Sequence, residues 1–226
     1  MKTYNGEKAI ISLTSWKARI NTVSKTLFSL VRRCPGFHIV LVLSEEEFPK
    51  KEAELPPSLM AFVNSNLIEI LWVYKNYKSF KKVLFTMDRY RDVPVISADD
   101  DCIYTCNYAE ELYQAWLHRK DCYITYKTRP YRNNCHSLGC ASLHPPYCYG
   151  DNGLKLLSGL ILQLQCDDAY YSVLRERLHI GYEFIDRPWN KIVVFHDSVR
   201  PLDEFYSTIG NHIFAIYEKE LLNEFN

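Results

Sequence analysis

At 226 residues with 47% apolar side chains, the chain can bury the core of one α/β domain and is excluded from the largely disordered class. Its 27 basic and 27 acidic side chains cancel, so the overall charge gives no footing for nucleic acid or an anionic membrane as the main partner. Residues 1–8 lack the apolar core of a signal peptide and no later apolar run reaches bilayer-spanning length, which predicts a cytoplasmic protein with no transmembrane segment.

Residues 9–13 read as the first strand and 14–19 as a polar loop leaving its carboxyl end. Asn21 is placed to cap a helix whose Val23, Leu27, Leu30 and Val31 recur at helical spacing before Pro35-Gly36. Residues 38–43 are nearly continuous in apolar character, as an interior strand of a parallel sheet should be, and Pro56-Pro57 opens a short helix. Residues 67–73 form a third strand, and 79–90 a helix with Phe80, Val83, Leu84 and Met87 on one face. Lys78, Lys81 and Lys82 stand near the start of that helix, where free amides and lysines together suit an anion such as a diphosphate.

The fourth strand, residues 93–98, runs into Asp99-Asp100-Asp101 with no basic residue beside them in sequence. A solvated acidic turn is one reading. The other is a hard divalent cation, Mn2+ or Mg2+, held by Asp99 and Asp101 while substrate phosphates complete the shell. Ligands of open α/β sheets gather at the carboxyl ends of the strands, and the loop 14–19 leaves the first strand on the same side. A helix over 107–120 and a strand over 122–126 continue the alternation, which predicts a mostly parallel, layered sheet.

From 127 to 152 the pattern lapses into turn-forming and aromatic residues, the composition of a binding loop on the acceptor side. Residues 154–164 are apolar enough to be buried, with helix and strand both open. Cys166-Asp167-Asp168 begins a helix running to 178, with its acidic end where the dipole favours it. Residues 191–195 form another strand that delivers His196, and 211–225 a closing helix. The eight cysteines are expected as reduced thiols, several of them small core residues.

Taken together these elements resemble the GT-A-type nucleotide-sugar glycosyltransferases, particularly small bacterial ones with a DDD form of the DxD motif. The resemblance is carried by 11–15 with Arg19-Ile20, Phe80-Lys81-Lys82, Asp99-Asp100-Asp101 with Tyr104, the 139–146 loop and Cys166-Asp167-Asp168, and covers roughly residues 8–185. The chain departs from the family at Ser79, where proline is usual, and at Gly139-Cys140, where two glycines are usual.

The resemblance implies a single domain over 1–226 of layered α/β/α, Rossmann-like architecture. Its donor nucleotide-binding part is expected at about 8–106 and its acceptor and catalytic part at about 107–226. It implies that Thr14, Ser15 and Arg19 hold the donor nucleotide, with Lys82 near the diphosphate and Asp100 among the donor-binding residues. Asp101 becomes the direct metal ligand, Asp99 its partner to metal, ribose or base, and His196 the candidate that completes the shell. The function implied is metal-dependent transfer of a sugar from a nucleotide-diphosphate donor, with UDP favoured. The acceptor hydroxyl would belong to a glycan, a lipid-linked glycan or a protein in bacterial surface polysaccharide synthesis. Peripheral attachment to the inner face of the membrane would be compatible with that role.

Such transfer needs a carboxylate on the acceptor side to take the hydroxyl proton. That role falls to Asp168, with Asp167 as the alternative, and direct attack would invert the anomeric configuration. A phosphatase of the haloacid dehalogenase type fits poorly, because Ile103 stands where its motif needs threonine. Cys135, His136, Cys140, His144 and Cys148 carry zinc-ligand chemistry for an interaction module, but in none of the common spacings. A sugar-nucleotide binder without turnover is the third reading.

Overall fold

A computed structural model describes residues 8–126, 139–157, 159–186, 192–194 and 212–224. Strands β1 (Ile10–Thr14), β2 (His38–Ser44), β3 (Glu69–Val73) and β4 (Val95–Ser97) are the expected repeating strands. They pair in parallel, with Ile10 opposite both His38 and Val95. β6 (Tyr123–Tyr126) and β8 (Tyr182–Ile185) also pair in parallel. Between these two groups lies β7 (Ser142–His144), antiparallel to both neighbours. The seven-stranded order is β3-β2-β1-β4-β7-β6-β8.

β7 corrects the reading of 127–152 as wholly irregular. Three residues ahead of Pro145-Pro146 are too few to show alternation, yet they carry the hydrogen bonds that join the two parallel halves. A second sheet was equally hidden. β5 (Cys102–Tyr104), directly after the aspartates, pairs antiparallel with β9 (Ile192–Val194).

Both faces of β1 are buried, which is why its sequence is apolar without alternation. Ile11 and Leu13 pack into the cluster that receives α1 (Val23–Arg33) and α4 (Tyr108–His118) through Leu27, Leu30, Ala109 and Leu112. On the other face, α3 (Lys81–Arg89) and α7 (Asp167–Arg177) meet through Phe80, Val83, Leu84, Tyr170, Tyr171 and Leu174. Each fully buried side chain of this size contributes roughly 1.5–3 kcal/mol of transfer free energy. The result is the layered α/β/α architecture expected from the sequence.

Asn107 does cap α4, accepting from the Glu110 amide. Asn21 does not cap α1. Residues 16–22 instead form successive turns in which the Arg19 and Ile20 amides donate to the Trp16 carbonyl, and the Thr22 hydroxyl donates to the Arg19 carbonyl. Those turns hold Arg19 on the carboxyl side of the sheet. Within the undecided stretch 154–164, residues 154–155 close the short helix α5 (Asn152–Lys155) and 159–164 form α6 (Gly159–Leu164); α2 (Pro57–Asn64) is the helix opened by Pro56-Pro57, and α8 (His212–Glu224) is the closing helix. No helix among the described residues is long and apolar enough to cross a membrane.

Candidate functional site

The carboxyl ends of β1 and β4 lie side by side, because Ser12 is in register with Ser97. The loops that follow therefore meet. Ser15 Oγ donates to Asp100 at 2.7 Å, and one guanidinium nitrogen of Arg19 donates to Asp100 at 3.0 Å and to Asp101 at 2.8 Å. The Thr26 hydroxyl holds the Asp100 carbonyl from α1. Asp100 is thus a buried structural anchor for the turn. Burial pushes its pKa up, against the opposing pull of Ser15 and Arg19, and burial with neighbouring Asp99 pushes Asp101 up as well.

Asp99 faces the other way. Lys82 Nζ donates to it at 2.6 Å and lies 3.2 Å from Asp167 at the start of α7. Burial opposes the Lys82 charge, but Asp167, Asp99 and Asp168 outweigh it and hold its pKa well above 10.5. The aspartates, which have no basic residue beside them in sequence, are thus neutralised in part by Arg19 and Lys82 from remote positions. The three lysines do not form one anion cradle. Lys81 is buried against Asn76 and Glu47, where burial lowers its pKa to about 8, and Lys78 is exposed. Thr14 donates to the Val42 carbonyl, turned toward β2.

Asp167 and Asp168 border a narrow, closely packed depression, shared with Lys82, Ser97, Tyr123, Gly139, Ser142, His144 and Tyr171. Ser142 and His144 belong to the 127–152 segment read as an acceptor-side loop, whereas Ser97, Tyr123 and Tyr171 were assigned to no site from the sequence. Their meeting depends on β7, whose insertion brings Ser142 within 2.6 Å of the Tyr123 hydroxyl and places Ser97 against its backbone. His144 rests among the rings of Tyr123, Tyr149 and Tyr171, its Nδ1 2.9 Å from the Tyr149 hydroxyl. Burial, then Arg175 and Lys82, lower its pKa well below 6.5, so the imidazole is neutral.

A Cβ added at Gly139 would lie 3.2 and 3.3 Å from the Asp168 carboxylate oxygens and 3.3 Å from Lys82 Nζ. Gly139→Ala is therefore expected to displace Asp168 and Lys82 by a few tenths of an ångström. Under a transferase role for Asp168, turnover should fall by about tenfold with the fold intact, because small misplacements of reacting groups are costly. Steady-state turnover beside a circular-dichroism spectrum checks this.

Asp99, Asp100, Asp101 and Asp167 pair with Arg19 and Lys82 in this wall, and Asp168 acts on Lys82 as well. Carboxylate oxygens at Asp99 and Asp101 are the donor chemistry that a hard divalent cation takes. Among the described residues, however, these two acquire no third protein oxygen ligand in a shared cluster. Phosphate oxygens of a donor would have to complete the shell, as is usual for Mg2+. His196, Cys135 and His136 lie outside the described residues. Of the remaining zinc-module residues, Cys140 stands with Asp99 and Cys102, whereas His144 and Cys148 join no ligand group among the described residues.

No protein-family model matches the chain, and no curated protein matches it. Solved structures do. A mannosyltransferase from Pyrobaculum calidifontis in complex with GDP-Man and Mn2+ aligns with a TM-score of 0.53 at 10% identity, over 82% of this chain and 56% of that one. TarS from S. aureus in complex with UDP aligns at 0.58 and 8% identity, over 92% and 64%. The glycosyltransferase GlyE of Streptococcus pneumoniae aligns at 0.52 and 12% identity, over 96% and 64%. The chain spans less than two thirds of the length of each. At these identities the likeness establishes the fold, which is the GT-A arrangement.

Proposed function

We propose that the chain is a metal-dependent glycosyltransferase that moves a sugar from a nucleotide-diphosphate donor to an acceptor hydroxyl. The observation that carries this reading is the meeting of two carboxylate groups across Lys82. Asp99 and Asp101 lie at the strand ends, and Asp167 and Asp168 border the cleft, all within a GT-A fold.

A divalent cation on Asp99 and Asp101 would supply electrostatic stabilisation of the leaving diphosphate. Arg19 keeps the aspartate turn rigid through its bonds to Asp100 and Asp101. Lys82, permanently charged in the buried wall between the two groups, offsets negative charge as it grows on the donor. Asp168 accepts the acceptor's hydroxyl proton while that oxygen bonds to the anomeric carbon, and the bond from that carbon to the diphosphate breaks with its electron pair. Direct attack of this kind inverts the anomeric configuration. Asp167 is the less suitable base, because it is more deeply buried and sits against Lys82.

UDP and GDP are the first nucleotides to try for the donor, since UDP and GDP-Man occupy two of the similar structures. The acceptor proposed is a hydroxyl of a glycan, a lipid-linked glycan or a protein in surface polysaccharide synthesis. The test is release of nucleoside diphosphate from a panel of nucleotide-sugars with Mn2+, with and without sugar acceptors, followed by product stereochemistry. Acceptor-stimulated release with inversion is expected. Retention would remove Asp168 as the base for direct attack, and no release from any donor would reduce the chain to a binder.

A further inference from the structure

We infer that Asp99, Cys102 and Cys140 form a second cation site, one that takes a soft divalent ion such as Zn2+ and competes for Asp99 with the hard cation of the donor site. The two thiol sulfurs and a carboxylate oxygen all lie within 4.8 Å of one another. A tetrahedral zinc with metal–sulfur bonds of about 2.3 Å needs sulfurs about 3.8 Å apart, a separation within that limit. Two thiolates and a carboxylate select zinc over manganese or magnesium, which prefer oxygen alone.

The ligands come from two segments that are already fastened together. The buried Tyr104 hydroxyl accepts from the Asp99 amide at 3.1 Å and donates to the Cys140 carbonyl at 2.7 Å. This clamp holds the aspartate turn and the start of the β7 segment at fixed separation, as outer groups do around metal sites. Cys102 and Cys140 are buried, while the Asp99 side chain is 36% exposed and offers the ion its approach. Cys140 also stands at a position where the resembled family usually carries glycine, so the site belongs to this chain's own sequence.

Binding is balanced by proton loss. The divalent ion replaces the hydrogens of both thiols, two protons leave to solvent, and the ion's charge is met by two thiolates, with Asp99 as third ligand and a fourth position open. Asp99 is then unavailable to the hard cation, so Zn2+ should suppress Mn2+-dependent donor binding. That consequence rests on the proposed transferase function, whereas zinc binding itself does not.

The test is titration of the reduced chain with Co2+, read as a thiolate-to-cobalt charge-transfer band and displaced by Zn2+. One ion per chain is expected, with the band abolished in Cys102→Ser and in Cys140→Ser. Affinity should fall by on the order of tenfold or more in Asp99→Asn, which keeps both thiols. X-ray absorption of the zinc-loaded wild type needs no variant and should show two sulfur neighbours. A shell of nitrogen and oxygen alone, no band, or a band unchanged in both cysteine variants would overturn the site. Nucleotide binding with Mn2+ is measured alongside. A chain that shows the band but binds no nucleotide refutes the transferase reading and leaves this site standing, and the converse refutes only the site.

Discussion

Asp168→Asn is expected to lower sugar transfer by roughly 10²- to 10⁴-fold, the span that a positioned general base supplies, while donor affinity stays nearly unchanged. Asn keeps the shape and the hydrogen-bonding capacity at the first turn of α7, where Asp168 also presents its backbone carbonyl to the Ser172 hydroxyl. What it removes is the negative charge and basicity with which the carboxylate would receive the acceptor's proton. The check is a paired measurement: turnover with acceptor, and calorimetric affinity for the donor. A loss of affinity equal to the loss of turnover would make Asp168 a binding residue. Asp167→Asn should behave differently, because its carboxylate lies 3.2 Å from buried Lys82 and serves the electrostatics of the wall.

Lys82→Met carries the largest expected cost in stability. The side chain is 4% exposed and stands between Asp99 and Asp167, with Asp168 acting on it as well. Methionine fills the volume but leaves carboxylates without their buried countercharge, a change that costs about 3–5 kcal/mol. The folded pKa of Lys82 is raised, so its stabilisation is fully present below about 10.5 and is lost only as pH climbs through the still higher folded value. The penalty should therefore be flat across the neutral range. Urea unfolding of both proteins at several neutral pH values measures it. A difference below about 1 kcal/mol would mean that the lysine behaves like an ordinary surface ion pair.

Much of this arrangement is legible in the sequence, and the reason is local. Each strand of the parallel half is a self-contained apolar run, and the abrupt change from Ile96 to Asp99-Asp100-Asp101 marks a strand end whatever its neighbours do. The side of the sheet on which the 14–19 loop emerges follows from the βαβ pattern, and Ser15 and Arg19 do meet the aspartates there. The partners of charge were not legible. Arg19 lies 82 residues from Asp101, and Lys82 lies 17 from Asp99 across a helix and a strand. The lysine run suggested a phosphate cradle, whereas packing sends Lys81 and Lys82 to different acids.

The cleft wall was hidden for a related reason. Tyr123, Ser142, His144 and Tyr171 become neighbours only because a three-residue antiparallel strand slots between β4 and β6. No periodicity marks a strand that short. Many of the 17 tyrosines are core residues rather than exposed stacking surfaces. Tyr104 stacks on Tyr108 and Tyr149 on Tyr171, all four buried.

The central claim, a donor site built on the aspartate turn, is tested most directly by nucleotide binding. Calorimetry would compare UDP, GDP and their sugars with Mn2+, with Mg2+ and with chelator, on wild type and on Asp101→Ala. The account predicts that one nucleoside diphosphate binds only with the cation, and that Asp101→Ala loses that binding while keeping the wild-type circular-dichroism spectrum. Binding indifferent to chelator and to Asp101→Ala, or no binding of any nucleotide, would contradict it.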